Sequence, residues 1–79
     1  MKIFEETLEH PTLGTARINI YEHGQPASGW LVTEDRNGTI TVVKTIGLFD
    51  DREAALAVAQ RRLEELRQQR YRSAIRGAA

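Results

Sequence analysis

The sequence predicts an α+β fold, in which an antiparallel β-sheet of three to four strands precedes one long C-terminal α-helix packed on one face. Residues 16–22 alternate apolar and polar side chains with the period of a half-buried strand. Two β-branched segments flank Asn37-Gly38, a residue pair typical of hairpin turns. From Leu56 onward, apolar residues recur at helical spacing. The 79 residues suffice for one domain, which we assign to 1–72, with 73–79 as a frayed basic C-terminal tail.

The alternation within 16–22 orients the side chains of this strand. Ile18 and Ile20 are expected to face the core, whereas Arg17, Asn19 and Tyr21 are expected on the outward face. Residues 2–8 read as a further strand, and the segment His10-Pro11-Thr12-Leu13-Gly14 turns the chain back.

The hairpin around Asn37-Gly38 joins segments 30–34 and 39–46, which are rich in β-branched and aromatic residues. A loop with an odd number of residues keeps Trp30 and Val32 on the same inward face as Ile40, Val42 and Ile46, so we favour that register. It also turns Lys44 inward. We therefore expect Lys44 to reach solvent at a sheet edge or to mark a β-bulge.

The helix is predicted over about 51–72, with Asp50 as its N-cap and Glu53 completing a capping box. Its apolar stripe comprises Leu56, Ala59, Leu63 and Leu66, with Ala55 beside it. Such a helix is roughly 33 Å long, whereas a six-residue strand spans about 20 Å. We therefore expect its C-terminal end to extend beyond the sheet.

Charge is unevenly distributed along a chain whose formal net charge is zero. Residues 1–60 carry five basic and nine acidic side chains, and residues 61–79 carry six arginines and two glutamates. The overall balance argues against a protein that coats nucleic acid, but the final segment is locally basic. The longest apolar run, 54–59, is much shorter than the roughly 18 residues of a membrane span. With acidic residues at 5 and 6 where a leader needs an apolar run, we expect a cytoplasmic protein with no membrane contact.

The residues that usually carry catalysis or hold metals are sparse. Cysteine is absent, which excludes disulfides, thiol catalysis and cysteine-ligated metals. His10 and His23 have no metal-binding spacing, and helix capping accounts for the carboxylates at 50, 51 and 53. Without a nucleophile motif or a phosphate loop, the prediction is a non-enzymatic protein that uses no metal and no cofactor.

The basic C-terminal segment is the predicted binding surface. On a helix that continues past residue 72, Arg61, Arg72 and Arg76 share one face, and Arg62 lies at its margin. Arginine suits phosphate because its planar guanidinium group donates two hydrogen bonds at once. The full set of candidate binding residues is Arg61, Arg62, Arg72, Arg76, Arg17, Tyr21 and Arg36. The expected function is a small binding module that contacts nucleic acid phosphates weakly and without sequence preference.

The alternative is a protein-interaction module, either a homodimer or an adaptor. Leu31 and Val43 fall on the outward sheet face, where they form an apolar patch if they are neighbours. The acidic body and the basic tail of two chains are also electrostatically complementary.

The segment from Gly29 to about Arg62 resembles three-stranded-sheet-plus-helix DNA-binding domains. These include plant ethylene-response-factor domains and the arm-binding domains of tyrosine recombinases. The matching features are Gly29-Trp30, Asn37-Gly38, Ile46-Gly47-Leu48-Phe49-Asp50 and Glu53-Ala54-Ala55. The resemblance implies DNA binding through the sheet. In this chain, none of the corresponding outward positions holds an arginine that could read bases. These positions are Leu31, Thr33, Thr41, Val43 and Thr45.

A second resemblance is to the WGR domain, a sheet-and-helix module associated with nucleic-acid enzymes. Arg36-Asn37-Gly38-Thr39 is similar to the arginine–x–glycine part of its signature, and Phe49 and Arg70-Tyr71 are spaced similarly. The Trp-Gly that defines the family is replaced here by Glu34-Asp35.

Overall fold

The computed structural model describes residues 1–24, 28–38 and 40–73 and shows one helix packed on an antiparallel sheet. The elements are β1 (Lys2–His10), β2 (Gly14–His23), β3 (Gly29–Asn37), β4 (Thr41–Phe49), α1 (Arg52–Gln68) and β5 (Arg72–Ser73). The strand order is β4-β3-β2-β1-β5, so the predicted α+β class, with its antiparallel sheet and C-terminal helix, is confirmed. Four strands are long, and the fifth is a two-residue addition to β1. None of the helical residues described forms a segment long and apolar enough to cross a membrane.

The turn between β1 and β2 is held by His10 and Gly14. His10 Nδ1 accepts hydrogen bonds from the backbone N–H groups of Thr12 and Leu13, at 3.1 Å each. Gly14 has φ of 95°, and a Cβ atom there would lie 2.0 Å from the carbonyl oxygen of Asn37. Only glycine fits this position, because both the backbone conformation and the close approach of β3 exclude a side chain.

The β3–β4 hairpin has the odd-length loop that the sequence predicts. Asn37 pairs with Thr41 and Arg36 with Val42, so an odd number of residues lies between the two members of each pair. The ladder shifts between Val32 and Thr33, and this β-bulge sets Ile46 out of register. Ile46 still packs against the core, but Ile40 and Val42, also expected on the inward face, are 72% and 45% exposed. Lys44 is exposed on the edge strand opposite Glu34, so its expected position at an edge is confirmed.

The core lies between α1 and the face of the sheet that presents even-numbered residues of β2 and β3. Ala55, Ala59, Leu63 and Leu66 are fully buried and confirm the predicted stripe, while Leu56 packs at its margin. The sheet contributes Leu8, Ala16, Ile18, Ile20 and Val32, all of them fully buried. Trp30, expected in the core, is partly buried and packs against this cluster.

Both predicted ends of the helix need correction. The N-cap is Asp51 rather than Asp50, and its side chain accepts a hydrogen bond of 3.2 Å from the backbone N–H of Glu53. Glu53 is then the second helical residue instead of the third, so the predicted capping box does not form. The helix ends at Gln68 instead of continuing to about residue 72. The predicted extension beyond the sheet therefore does not form.

The chain reverses at Arg70, in a Schellman motif. Tyr71 N–H donates to the carbonyl of Leu66 and Arg70 N–H to that of Arg67, each at 3.1 Å, while Arg70 has φ of 76°. Tyr71, which is only 2% exposed, supplies the driving force, because the reversal lets its ring enter the core. Ser73, assigned to the tail, pairs with Leu8 in β5. The rest of that predicted tail, 74–79, lies outside the described residues.

Candidate anion-binding site

The outward sheet face holds Arg17 and Tyr21, and both interact within their own sheet. Arg17 Nε donates a 3.2 Å hydrogen bond to Thr7 Oγ1 and lies 3.6 Å from Glu5 Oε2. The ammonium group of Lys2 lies 5.5 Å from the centre of the Tyr21 ring. These two candidate residues are therefore spaced along the sheet surface and do not adjoin the arginines of the helix end.

At the centre of the same face, Asn19 is fully buried. Its amide nitrogen donates to Thr33 Oγ1 and to Asp35 Oδ2, at 3.2 Å each. Its Oδ1 atom is buried with no hydrogen-bond partner among the described residues. Asn19 therefore acts as a structural residue of the outward face, not as a solvated one.

Glu34 forms ion pairs with Arg36 and Arg62 at the interface between the helix and the sheet. The Glu34 side chain faces the helix and the residue is only 3% exposed. Arg62 Nε approaches Glu34 Oε1 at 2.5 Å, and Arg36 Nε approaches Glu34 Oε2 at the same distance. Burial alone would raise the pKa of Glu34, but hydrogen bonds from Arg62 and then Arg36 outweigh it and hold the pKa below its usual value. The hydrogen bond from Glu34 in turn raises the pKa of Arg62 above its ordinary value.

Sequence reasoning missed this cluster, although a signal for it was present. Glu34 has the same strand parity as Trp30 and Val32, so an inward carboxylate requires a cationic partner from the packed helix. Arg67 forms a similar bond from α1 to the sheet, with its Nη2 atom 2.5 Å from Glu6 Oε2. Of the five C-terminal arginines in the described part of the chain, Arg62 and Arg67 thus pair with carboxylates of the same chain.

Two adjoining hollows lie where the chain returns from α1 to the sheet. One, of about 460 Å³, is lined by Pro11, Arg67, Arg70, Tyr71 and Arg72. The other, of about 490 Å³, is lined by Glu9, His10, Pro11, Arg72 and Ser73. Pro11 and Arg72 belong to both linings, so the hollows form one shallow cleft, which we call the arginine cleft.

Tyr71 is held firmly beneath this cleft. Its ring centre lies 5.0 Å from that of His10, and the guanidinium carbon of Arg36 lies 5.5 Å from it. Arg36 Nη1 also donates a 3.2 Å hydrogen bond to the Tyr71 hydroxyl. Because Arg36 is itself fixed by Glu34, the buried ion pairs and the wall of the cleft form one connected structure.

Two guanidinium groups at the cleft have no carboxylate partner among the described residues. Arg70 and Arg72 are exposed and form no ion pair with any of the residues the structure describes, whereas Arg67 is paired with Glu6. Arg61 is also exposed on α1 without such a pair. The predicted common face of Arg61, Arg72 and Arg76 does not form as proposed, because Arg72 lies in β5 rather than on the helix. Arg76 lies outside the described residues.

The chemistry available at this cleft is that of cationic hydrogen-bond donors. Within residues 1–24, 28–38 and 40–73, no group of three or more His, Asp or Glu side chains is arranged to hold a metal ion. Guanidinium groups that are exposed and uncompensated attract oxyanions such as phosphate and carboxylate. No protein-family model, curated protein or solved structure matches this chain.

Proposed function

We propose that the protein is a small non-enzymatic binding module that holds phosphate groups of nucleic acid in the arginine cleft. The observation that carries this proposal is the position of Arg70 and Arg72, exposed and without ion pairs among the described residues, around one hollow. Each guanidinium group offers a planar set of donors that fits phosphate oxygens. Arg67 borders the same hollow and adds a third guanidinium group, partly neutralised by Glu6.

Binding of this kind is local and independent of base sequence. Phosphate contacts position a protein on nucleic acid without reading bases. The acidic residues of the sheet repel the remainder of a long polyanion, so contact is confined to the helix end, with Arg61 extending the positive surface along α1. Arg36 and Arg62 support the cleft from within instead of contacting the ligand, because Glu34 already binds them.

Fluorescence anisotropy with labelled duplex DNA, single-stranded DNA and RNA at low salt tests this function. Replacing both Arg70 and Arg72 by glutamine should weaken binding by about tenfold or more, because two phosphate contacts are lost. A matched control, Lys44→Gln with Arg52→Gln, removes two exposed charges that have no ion pair among the residues described. We expect the control to bind within about twofold of the wild type. Equal weakening by both double variants, or wild-type affinity weaker than about 1 mM on all three ligands, would reject the proposal.

Protein interaction through the outward sheet face is a second candidate function. The predicted neighbours Leu31 and Val43 are not paired, because Leu31 lies opposite Leu48 and Val43 opposite Asp35. Val43 and Leu48 are exposed on that face, at 67% and 63%. The version that pairs one chain's basic tail with another chain's acidic body has less support, because Arg62 and Arg67 already bind Glu34 and Glu6 within the chain. An interaction through apolar side chains has more support, because these residues are exposed on β4 at the edge of the sheet.

A further inference from the structure

The outer edge of β4 has an exposed apolar surface that the phosphate-binding proposal does not use. β4 is the last strand of the sheet on its side, and all of Thr41–Thr45 is exposed. The exposed apolar residues in and beside it are Ile40 (72%), Val42 (45%), Val43 (67%) and Leu48 (63%). A sheet edge of this kind presents unpaired backbone groups that favour the addition of another strand.

The opposite edge of the sheet is protected against such addition. β1 carries Lys2, Glu5 and Glu6, has an irregular register between Lys2 and Phe4, and is extended by β5. Charges, bulges and a covering segment are the features that deter pairing at an edge. The segment Thr41–Thr45 has only one charged side chain, Lys44. The two edges therefore differ in their capacity to accept a strand.

The regular part of β4 is complementary to itself. It extends from Thr41 to Thr45, before the bulge at Ile46, and reads Thr-Val-Val-Lys-Thr. In an antiparallel pair with a two-fold axis perpendicular to the sheet at Val43, the two Val43 residues lie opposite each other. The same register sets Thr41 opposite Thr45 and Val42 opposite Lys44. Valine–valine and threonine–threonine pairs are favourable across strands, and no like charges stand opposite each other.

We propose that a second copy of this chain pairs with β4 in this antiparallel register, joining the two sheets into one continuous sheet. The added strand would cover apolar side chains on both faces of the sheet, because Val43 is exposed on the outward face and Val42, opposite Arg36, on the helix face. A pairing of two five-residue edge segments is smaller than the roughly 1,200 Å² of stable complexes, so the dimer is reversible. This inference is independent of phosphate binding, because the arginine cleft lies at the opposite edge of the sheet, beside β1 and β5.

Sedimentation equilibrium of the full chain between about 5 and 500 µM tests the dimer. We expect a reversible monomer–dimer equilibrium for the wild type, and at least a tenfold increase in the dissociation constant for Val43→Lys, which opposes two lysines at the axis. Leu13→Lys is the matched control, because Leu13 is an exposed apolar residue in the β1–β2 turn. It should leave the dissociation constant unchanged. A wild type that stays monomeric to 500 µM, or a dimer that Val43→Lys leaves intact, overturns the proposal.

Cross-linking tests the register separately, and it does not depend on how Val43→Lys folds. The chain has no cysteine, so Val43→Cys introduces a single thiol. Opposed residues in an antiparallel pair have Cα atoms about 4.5–5.5 Å apart, within the range of a disulfide. The two residues at position 41 would lie about 14 Å apart, beyond that range. With copper phenanthroline as oxidant, Val43→Cys should form a disulfide dimer at least tenfold faster than Thr41→Cys, and equal rates contradict the register.

Discussion

Replacing Glu34 by glutamine removes the negative charge that two arginines share at the helix–sheet interface. The Glu34 side chain is 4% exposed and accepts hydrogen bonds from Arg36 and Arg62. Loss of one member of a buried ion pair typically costs about 3–5 kcal/mol. The Arg36 and Arg62 side chains are 36% and 24% exposed, so each can recover part of its hydration, which lowers the expected cost to about 2–3 kcal/mol.

The assay for Glu34→Gln is urea and thermal unfolding, monitored by circular dichroism and by fluorescence of the single tryptophan. For a domain of this size, a loss of 2–3 kcal/mol lowers Tm by roughly 10–20 °C. Glu64→Gln is the control, because Glu64 is exposed on α1 and forms no ion pair with the residues described. A free energy of unfolding for Glu34→Gln within about 0.5 kcal/mol of the Glu64→Gln value would refute this account of the interface.

The pH dependence of stability gives a second readout of the same interaction. Because the pKa of Glu34 in the folded chain lies below its usual value of 4.5, its ionised form stabilises the fold above that pH. This contribution is lost as pH falls below 4.5 through the lower pKa of the folded state. The difference in unfolding free energy between wild type and Glu34→Gln should therefore shrink as the solution is acidified from pH 6 towards pH 3. A difference that is constant over this interval would contradict the assigned role of the carboxylate.

Three further substitutions test local features of the fold by the same unfolding measurements. Arg70→Gly should raise the free energy of unfolding by about 1 kcal/mol, because Arg70 has φ of 76° and glycine adopts that conformation without strain; a loss of stability would contradict this. Asp51→Ala should cost about 1 kcal/mol by removing the helix N-cap, whereas Asp50→Ala should cost much less, and the reverse order would reject the assignment. Gly14→Ala should cost more than about 1 kcal/mol, because its Cβ would lie 2.0 Å from Asn37 O, and unchanged stability would contradict this expectation.

The sequence predicted the parts of the fold that depend on periodic patterns. Alternation placed Ile18 and Ile20 in the core, helical spacing identified Leu63 and Leu66, and an odd hairpin loop gave the correct register from Thr33 to Asn37, although not the bulge at Ile46. These inferences succeed because burial of one face of a strand or helix imposes a period that is visible in a single sequence.

The end of the helix and the arginine cleft could not be predicted in this way. The helix ends because burying the Tyr71 ring stabilises the fold more than another helical turn would. This burial depends on the space beside His10, which the local sequence does not show. Helices often end at a glycine in the left-handed conformation, but here that position is occupied by Arg70. The sequence therefore gives no local signal of where the helix ends. In the predicted helix, which continued to about residue 72, Arg70 and Arg72 would lie on different faces. In the structure the chain reverses at Arg70, and both side chains line one hollow.

The salt dependence of nucleic acid binding, compared between wild type and Arg70→Gly, tests the central claim most directly. Each phosphate contact contributes about −0.9 to the slope of log K against log salt concentration on duplex DNA. Two or three contacts from Arg67, Arg70 and Arg72 predict a wild-type slope of about −2 to −3. Arg70→Gly should reduce the magnitude of the slope by about one while the protein becomes more stable, which separates loss of binding from loss of folding. An unchanged slope in a folded Arg70→Gly protein would contradict the assignment of phosphate binding to the arginine cleft.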